Sequence, residues 1–573
     1  MPDAVATPAA TPLKETKAQK SERLKLLKNP WENWNDVREY AKGGRDTVDP
    51  AWANLYFKWW GIYTQGDGVG VTGGKGGEGV TTEFFMMRIG IPNGLLTSHQ
   101  LRTIGQLTQK FARNLSDITT RQAIQLHWLT ISDLVEVTDA LTEVGLSPKG
   151  ACGDVVRNVT GCPLAGLDQH ELIDASPLAT EVARFLTANP EFYNLPRKFK
   201  ISITGCPLWC SYPEINDLAL TAIKRGDEIG YTLRVGGGLS SEPHIAVRIP
   251  AFIPQEKALA VVTAVVTIFR EQTALRESRT HARIKYLFMK HGWTAESMLA
   301  AIEEKLGYKL DPSPVSEDAV PADIYRDHVG VNPQKQPGLS SVGASVLRGR
   351  LSGDQLVALA DLAEKYGDGH LRTSIMQNIL LVNIRNESVR ELIAELIALD
   401  LTVEASTFWR GAVACTGTEF CKLAISETKA FTKWLVAEME ERLPAFDQQI
   451  RLHVTGCTNS CGQSWIADIG LEGKKIKKDG KMVDAFYFCV GGSVGKYAGI
   501  ARQIGYRAAA EDCPEAIERM LRGYLALREP EEDLRAYFAR TTDEQLRTHL
   551  AGEIIAPVER DAPPAGGRRV ADA

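Results

Sequence analysis

Two stretches of the chain repeat one alternation of apolar and polar positions. From Leu96 the order is L-T-S-H-Q-L-R-T-I-G-Q-L-T-Q-K-F-A, and from Leu351 it is L-S-G-D-Q-L-V-A-L-A-D-L-A-E-K-Y-G. Leu101, Ile104, Leu107 and Phe111 recur at the phase of Leu356, Leu359, Leu362 and Tyr366, the stripe of a helix half sunk in a core. Thr97 with Gln100, and Ser352 with Gln355, fit the capping box, so both helices are predicted to start at the same point of the repeat. A strand-like segment follows each helix, carrying Arg121, Gln125 and His127 in the first copy and Arg372 and Gln377 in the second. A second helix is predicted from about Ser132 and from about Ser388. Farther on, the segment ending at Cys206 (K-F-K-I-S-I-T-G-C) parallels the one ending at Cys457 (I-R-L-H-V-T-G-C). Asp217 then matches Asp468, and Gly236-Gly237 matches Gly491-Gly492. So many landmarks in one order indicate an α+β fold, internally duplicated with pseudo-twofold symmetry.

Period-two alternation decides where the side chains before these cysteines point. Phe199, Ile201 and Ile203 share one face, and Lys198, Lys200 and Ser202 the other. Arg451 and His453 take the polar face of the second copy. An isolated K-x-K is ordinarily a solvated edge. Here the strand runs straight into a T-G-C corner, which points the lysines toward a cavity.

Composition narrows the classes. A chain of 573 residues should hold roughly three or four domains. With 44% hydrophobic and 24% charged residues it reads as globular, and no apolar run reaches the roughly 18 residues of a membrane span. The net charge of −5 provides no broad basic field, so nucleic acid is not an expected partner. The N-terminus lacks an apolar export segment, and ten cysteines are expected to be reduced in a cytoplasmic protein. Residues 1–22 and 553–573 read as loose tails. The Gly-rich run V-G-V-T-G-G-K-G-G-E-G from Val69 reads as a flexible loop, because it lacks the strand and helix context of a nucleotide-binding turn.

The strongest chemical signal is a set of four cysteines. Cys415 and Cys421 stand in A-C-T-G-T-E-F-C, and Cys457 and Cys461 in T-G-C-T-N-S-C-G. Two tight pairs with small residues inside them suit one iron–sulfur cluster. Structural zinc and buried unligated thiols are the alternatives, although zinc pairs are usually closer in sequence than Cys415 and Cys421. In the first copy the corresponding pair is expected to be Cys152 and Cys162, whose wider gap breaks the spacing. Cys206 and Cys210 then read as structural relics, with a second metal centre as the alternative.

These motifs, with L-P-R-K-F-K and T-R-Q-A-I-Q-L-H, resemble the sirohaem- and iron–sulfur-dependent sulfite and nitrite reductases over roughly Asn54 to Arg540. The resemblance implies a pair of ferredoxin-like half-domains (80–150 and 340–405) and two sirohaem/iron–sulfur α+β domains (151–335, with degenerate cysteines, and 406–552). A wrapping segment, 23–79, precedes them. It implies that Cys415, Cys421, Cys457 and Cys461 hold a 4Fe-4S cluster, with Cys461 also bridging to the sirohaem iron. It implies an anion site of Arg88, Arg157, Lys198 and Lys200. Arg121, Gln125, His127, Arg372 and Gln377 are the candidates for the many sirohaem carboxylates, and Tyr63 for a further approach to the cofactor. Family members that reduce nitrite tend to carry Asn where Lys200 stands, so sulfite is the expected substrate and nitrite the alternative. The expected donor is ferredoxin or a similar small electron carrier, for which Lys474, Lys475, Lys477, Lys478 and Lys481 around Asp479 form a candidate dock, although a solvated hairpin tip explains them as well. A monomer is expected.

Overall fold

A computed structural model describes residues 15–65, 84–318 and 326–552; the Gly-rich run from Val69 lies outside them. The duplication is written in four five-stranded sheets. Both repeat helices form, over Ser98–Phe111 and Gly353–Tyr366, and both capping boxes close as predicted. The second helices run Asp133–Glu143 and Val389–Ala398.

The two half-domains complete each other. In the first sheet the strands run in the order Ile62–Thr64, Phe85–Ile89, Ile124–Leu129, Ser116–Ile118, and then Arg350–Leu351 from the second copy. In its counterpart they run Gly330–Pro333, Leu339–Ala344, Ile379–Arg385, His370–Thr373, and then Leu95–Thr97 from the first copy. Each copy therefore lends its partner an edge strand. The repeat helices cross where both carry glycine. A Cβ on Gly105 would lie 2.9 Å from the Gly353 carbonyl oxygen, and one on Gly353 would lie 2.6 Å from that of Gly105. Arg102 reaches over the crossing to Asp361 and Glu364. The half-domains share one hydrophobic core, from Trp31 through Leu134 to Val403.

The other two sheets carry the cysteine corners. One is ordered Asp311–Pro312, Val247–Pro254, Glu228–Val235, Leu218–Arg225, Ile201–Thr204, and the other Ala412–Ala414, Leu452–Thr455, Ile469–Lys478, Lys481–Val490, Arg502–Ala509. Each packs its own core against its own helices.

The first helix, Lys17–Leu27, begins inside the stretch expected to be a loose tail. Charge explains the difference. Lys25 is buried, donates to the Leu195 carbonyl and pairs with Glu22, while Arg276 holds Glu22 and Asp154 lies 3.6 Å from Lys25. Trp59 donates to the Tyr193 carbonyl, so the segment straps the first half-domain to the first cysteine-bearing domain.

Candidate active site

Cys415 and Cys457 leave the ends of two adjacent parallel strands, Ala412–Ala414 and Leu452–Thr455. The corner is tight enough to require glycine. A Cβ on Gly462 would lie 2.3 Å from the Val454 carbonyl oxygen, and Gly417 takes a φ of +65° beside Thr428. The Gly456 amide donates to Cys415 Sγ at 3.1 Å, and the Cys421 amide closes a turn on the Gly417 carbonyl. Cys461 is exposed and its carbonyl accepts from Thr120 Oγ1 at 3.3 Å, which docks the first half-domain on the corner.

The four thiols share one electrostatic neighbourhood. Burial and the neighbouring cysteines push Cys421 up to about 12 and Cys457 up to about 11, and Cys415 is raised for the same reasons. Four thiolates cannot form together here without cationic charge between them. An iron–sulfur cluster supplies that charge, so the donor set fits one.

Facing the corner is an excess of positive charge. Arg88 donates through Nε and Nη2 to Gln125 Oε1 at 3.0 and 2.6 Å, and through Nη1 to Cys152 Sγ at 3.1 Å. The same Nη1 and Arg157 Nη1 converge on the Ala151 carbonyl, at 3.4 and 3.3 Å. Arg157 otherwise holds the Gly153 carbonyl, and Tyr63 lies in the field of the Cys152 thiol and of both guanidiniums. Lys198 and Lys200 lie in the extended run just before strand Ile201–Thr204, with Phe199 buried between them. Desolvation, with Arg283 and Arg157 nearby, lowers Lys198 to about 7 although Cys461 opposes the shift. Lys200 falls well below its usual value, for desolvation and for Lys198, Arg283 and Arg121. Asp217 offsets the shift of Lys200 only in part, and its carboxylate is held by a two-toothed bond from Arg283 and by the Lys200 amide. Arg121 donates to Asn216 Oδ1 and to the Asn158 and Ile201 carbonyls, its Nε is buried without a partner, and burial, with the cations around it, lowers it to about 9. A buried pocket with this surplus is built for polyanions, which is what a tetrapyrrole rich in carboxylates and an inorganic oxyanion are.

Not every candidate belongs here. Gln377 Nε2 donates to the Ile118 and Ala414 carbonyls and its Oε1 accepts from the Ala414 amide, which uses both its donors. It clamps backbone and has no donor left for a cofactor. Its counterpart is Gln122, not Gln125: Gln122 donates to the Asn93 and Thr373 carbonyls and accepts from the Gly161 amide. His127 spends its ring on Asp117 and Gln65 and stacks on Phe420 at 4.0 Å, so it supports the loop next to Cys421. Arg372 lines a separate cavity of about 600 Å³ with Lys149, Asn158 and Arg184. None of the four cysteines or of Arg88, Arg157, Lys198 and Lys200 borders that cavity. Of the hairpin lysines, Lys475 pairs with Asp484, Lys478 with Glu511 and Asp512, and Lys474 with Glu472. Those pairs cancel much of the basic patch.

The cysteine register of the first copy also differs from expectation. Thr160 bridges Ser202 in parallel as Val413 pairs with His453, which sets Cys162 opposite Cys415. Asp168 then stands where the second copy has Cys421, and Cys152 has no counterpart in the ligand set; it belongs to the Arg88 pocket. Arg283, which holds Asp217, had no motif to reveal it.

Comparison with known proteins agrees with this architecture. The model for the nitrite and sulphite reductase 4Fe-4S domain matches residues 152–310 and 406–552, and that for the nitrite/sulfite reductase ferredoxin-like half domain matches 78–144 and 332–399. The chain belongs to the nitrite and sulphite reductase family. The reductase is 36% identical over 543 residues to sulfite reductase [ferredoxin] 1 of Mycolicibacterium paratuberculosis, covering 92% of this chain and 96% of that one. It is equally 36% identical, over 561 residues, to the assimilatory ferredoxin-dependent nitrite reductase of Haloferax mediterranei, covering 92% of each. Among solved structures it resembles that of the Mycobacterium tuberculosis NirA protein, with a TM-score of 0.87, 34% identity, and coverage of 92% of this chain and 97% of that one. Sirohaem and a 4Fe-4S cluster are the cofactors of this reductase. Among the described residues no helix is long and apolar enough to cross a membrane.

Proposed function

We propose that the reductase is a cytoplasmic, ferredoxin-dependent sulfite reductase that takes sulfite to sulfide in a six-electron reduction. Cys415, Cys421, Cys457 and Cys461 would hold the cluster, with Cys461 shared with the sirohaem iron; Arg121 and the cations around it would meet the sirohaem carboxylates. When bound, this pair supplies electron storage and an iron that accepts the anion. Arg88, Arg157, Lys198 and Lys200 draw the oxyanion in and hold it by charge-assisted hydrogen bonds. Each oxygen that departs as water takes up two protons, and Lys198, lowered to about 7, is suited to pass them near neutral pH. Gln125 fixes the guanidinium of Arg88 and reaches Thr416 beside Cys415, so substrate and cluster sides share one brace. Ferredoxin as donor is supported by the names of the relatives.

The observation that carries sulfite is the second lysine. Burial and the neighbouring cations disfavour the charge on Lys200 in the free pocket, so an anion that restores it gains, and a dianion gains more than a monoanion does. The nitrite reading is favoured by the equal identity to a nitrite reductase. Steady-state reduction of both anions with one artificial donor separates them. A higher kcat/KM for sulfite is expected, and a nitrite-favoured ratio would reverse the assignment.

A further inference from the structure

In the first copy, the counterpart of the cluster corner is closed but still rich in donors. Cys162 Sγ, Cys210 Sγ and a ring nitrogen of His328 all lie within 4.8 Å of one another, and all three residues are buried. Cys162 Sγ stands 3.7 Å from His328 Nε2. Zinc bonds of about 2.3 Å to sulfur and about 2.0–2.1 Å to nitrogen set a tetrahedral S···N edge near 3.6 Å. The observed separation needs almost no adjustment.

The backbone is bent to bring the imidazole there. His328 takes a φ of +61°, in the left-handed region that few non-glycine residues occupy. Gly343 on the facing strand makes the room, since a Cβ there would lie 1.9 Å from the His328 carbonyl oxygen. Arg326, two residues earlier, donates to Asp168 and so ties the segment before His328 to the loop that follows Cys162. Leu164, Leu167, Leu380 and Val382 enclose the group. An apolar enclosure with no route for a substrate suits a structural ion.

We propose that Cys162, Cys210 and His328 hold a zinc ion. A mixed thiolate and imidazole set selects zinc over hard cations, and each thiol that binds releases its proton. The site is distinct from the 4Fe-4S corner and independent of which anion is reduced. Its consequence is mechanical. Asp327, between Arg326 and His328, makes a two-toothed bond to Arg410 at 2.7 and 2.8 Å, on the helix Thr407–Gly411 that leads into Ala412–Ala414 and Cys415. Zinc would thus pin the linker that braces the cluster-bearing strand.

The test is metal analysis of the holoenzyme purified without chelators. About one zinc per chain is expected, beyond the iron of cluster and sirohaem, with zinc-edge absorption showing two sulfur neighbours at about 2.3 Å plus imidazole. Cys162→Ser with Cys210→Ser should lose the zinc while keeping the visible spectrum, and His328→Ala should weaken its retention at least tenfold. Zinc below about a tenth per chain after zinc loading and desalting, oxygen-only coordination, or undiminished zinc in the variants would each overturn the proposal, as would a Cys162–Cys210 disulfide in the protein as purified. If the double variant fails to fold, the absorption measurement on the unmodified holoenzyme decides alone.

Discussion

The two copies began from one plan and now spend the same positions on opposite ends. In the first half-domain, Arg88, Gln125 and His127 line or support the pocket beside the cysteine corner of the second copy. At the matching points of the second half-domain stand Gly343, Leu380 and Val382, which close over Cys162, Cys210 and His328. The polar set faces the cluster corner and the apolar set seals its counterpart. Duplication has thus left one open, cationic pocket and one shut, thiol-lined one, and the difference lies in a few side chains on an unchanged backbone. What stayed common is the clamp: Gln122 and Gln377 both lie in left-handed turns, at φ of +58° and +64°, and both bond to backbone of the opposite half-domain and of a cysteine-bearing strand or loop.

The sharpest way to break this comparison is to remove a cysteine from each copy. Cys457→Ser is expected to lower sulfite reduction by about a thousandfold or more and to remove the cluster absorbance, whereas Cys206→Ser should keep at least about half the turnover. Comparable losses from both would mean that the copies have not diverged as described. Next in size is Lys200→Asn, expected to cost about 10- to 100-fold in kcat/KM for sulfite and less for nitrite, read from the two rates side by side.

A third test uses pH. Lys198 must carry its proton to hold an anion, and its value of about 7 means that the free protein loses that charge as pH rises. Anion binding restores it. Affinity should be full below about pH 7 and weaken above it, so KM for sulfite is expected to climb by up to about tenfold per pH unit. A flat KM between pH 6 and 9 would remove Lys198 from the anion site. The smallest effect tests the shared feature. Gln122→Ala and Gln377→Ala each leave buried backbone partners unpaired, at about 2 kcal/mol, and should lower Tm by similar amounts of about 2 °C in calorimetry. A large drop for one alone would show that the clamp is not symmetric.

What the sequence revealed and what it hid divide along local and distant interactions. Both helices could be read because a capping box and an apolar stripe are written within one turn of chain. The four cysteines proposed for the cluster stand out by their local spacing, and Lys198 and Lys200 by strand alternation, whereas Arg88 and Arg157 came only from the resemblance to the family. Gln125 was paired with Gln377 because both follow an Arg, yet the bonds that define the clamp run from Gln377 to Ile118 and Ala414, far apart in sequence. Arg372 shares composition with the site residues but faces another cavity. Arg283 is set by a single long-range ion pair, with no signal along the chain. The register of Cys162 became clear only from the bridge between Thr160 and Ser202.

The exchanged edge strands bear on how the chain is made. As the polypeptide leaves the ribosome, the first half-domain can assemble Phe85–Ile89, Ser116–Ile118 and Ile124–Leu129, but its outer ladder stays open until Arg350–Leu351 emerges more than two hundred residues later. Meanwhile Leu95–Thr97 waits for a partner, His370–Thr373, that does not yet exist. An uncovered strand edge invites pairing with other nascent chains. Translation halted between the copies should therefore leave an aggregation-prone fragment that engages chaperones, rather than a stable half-protein.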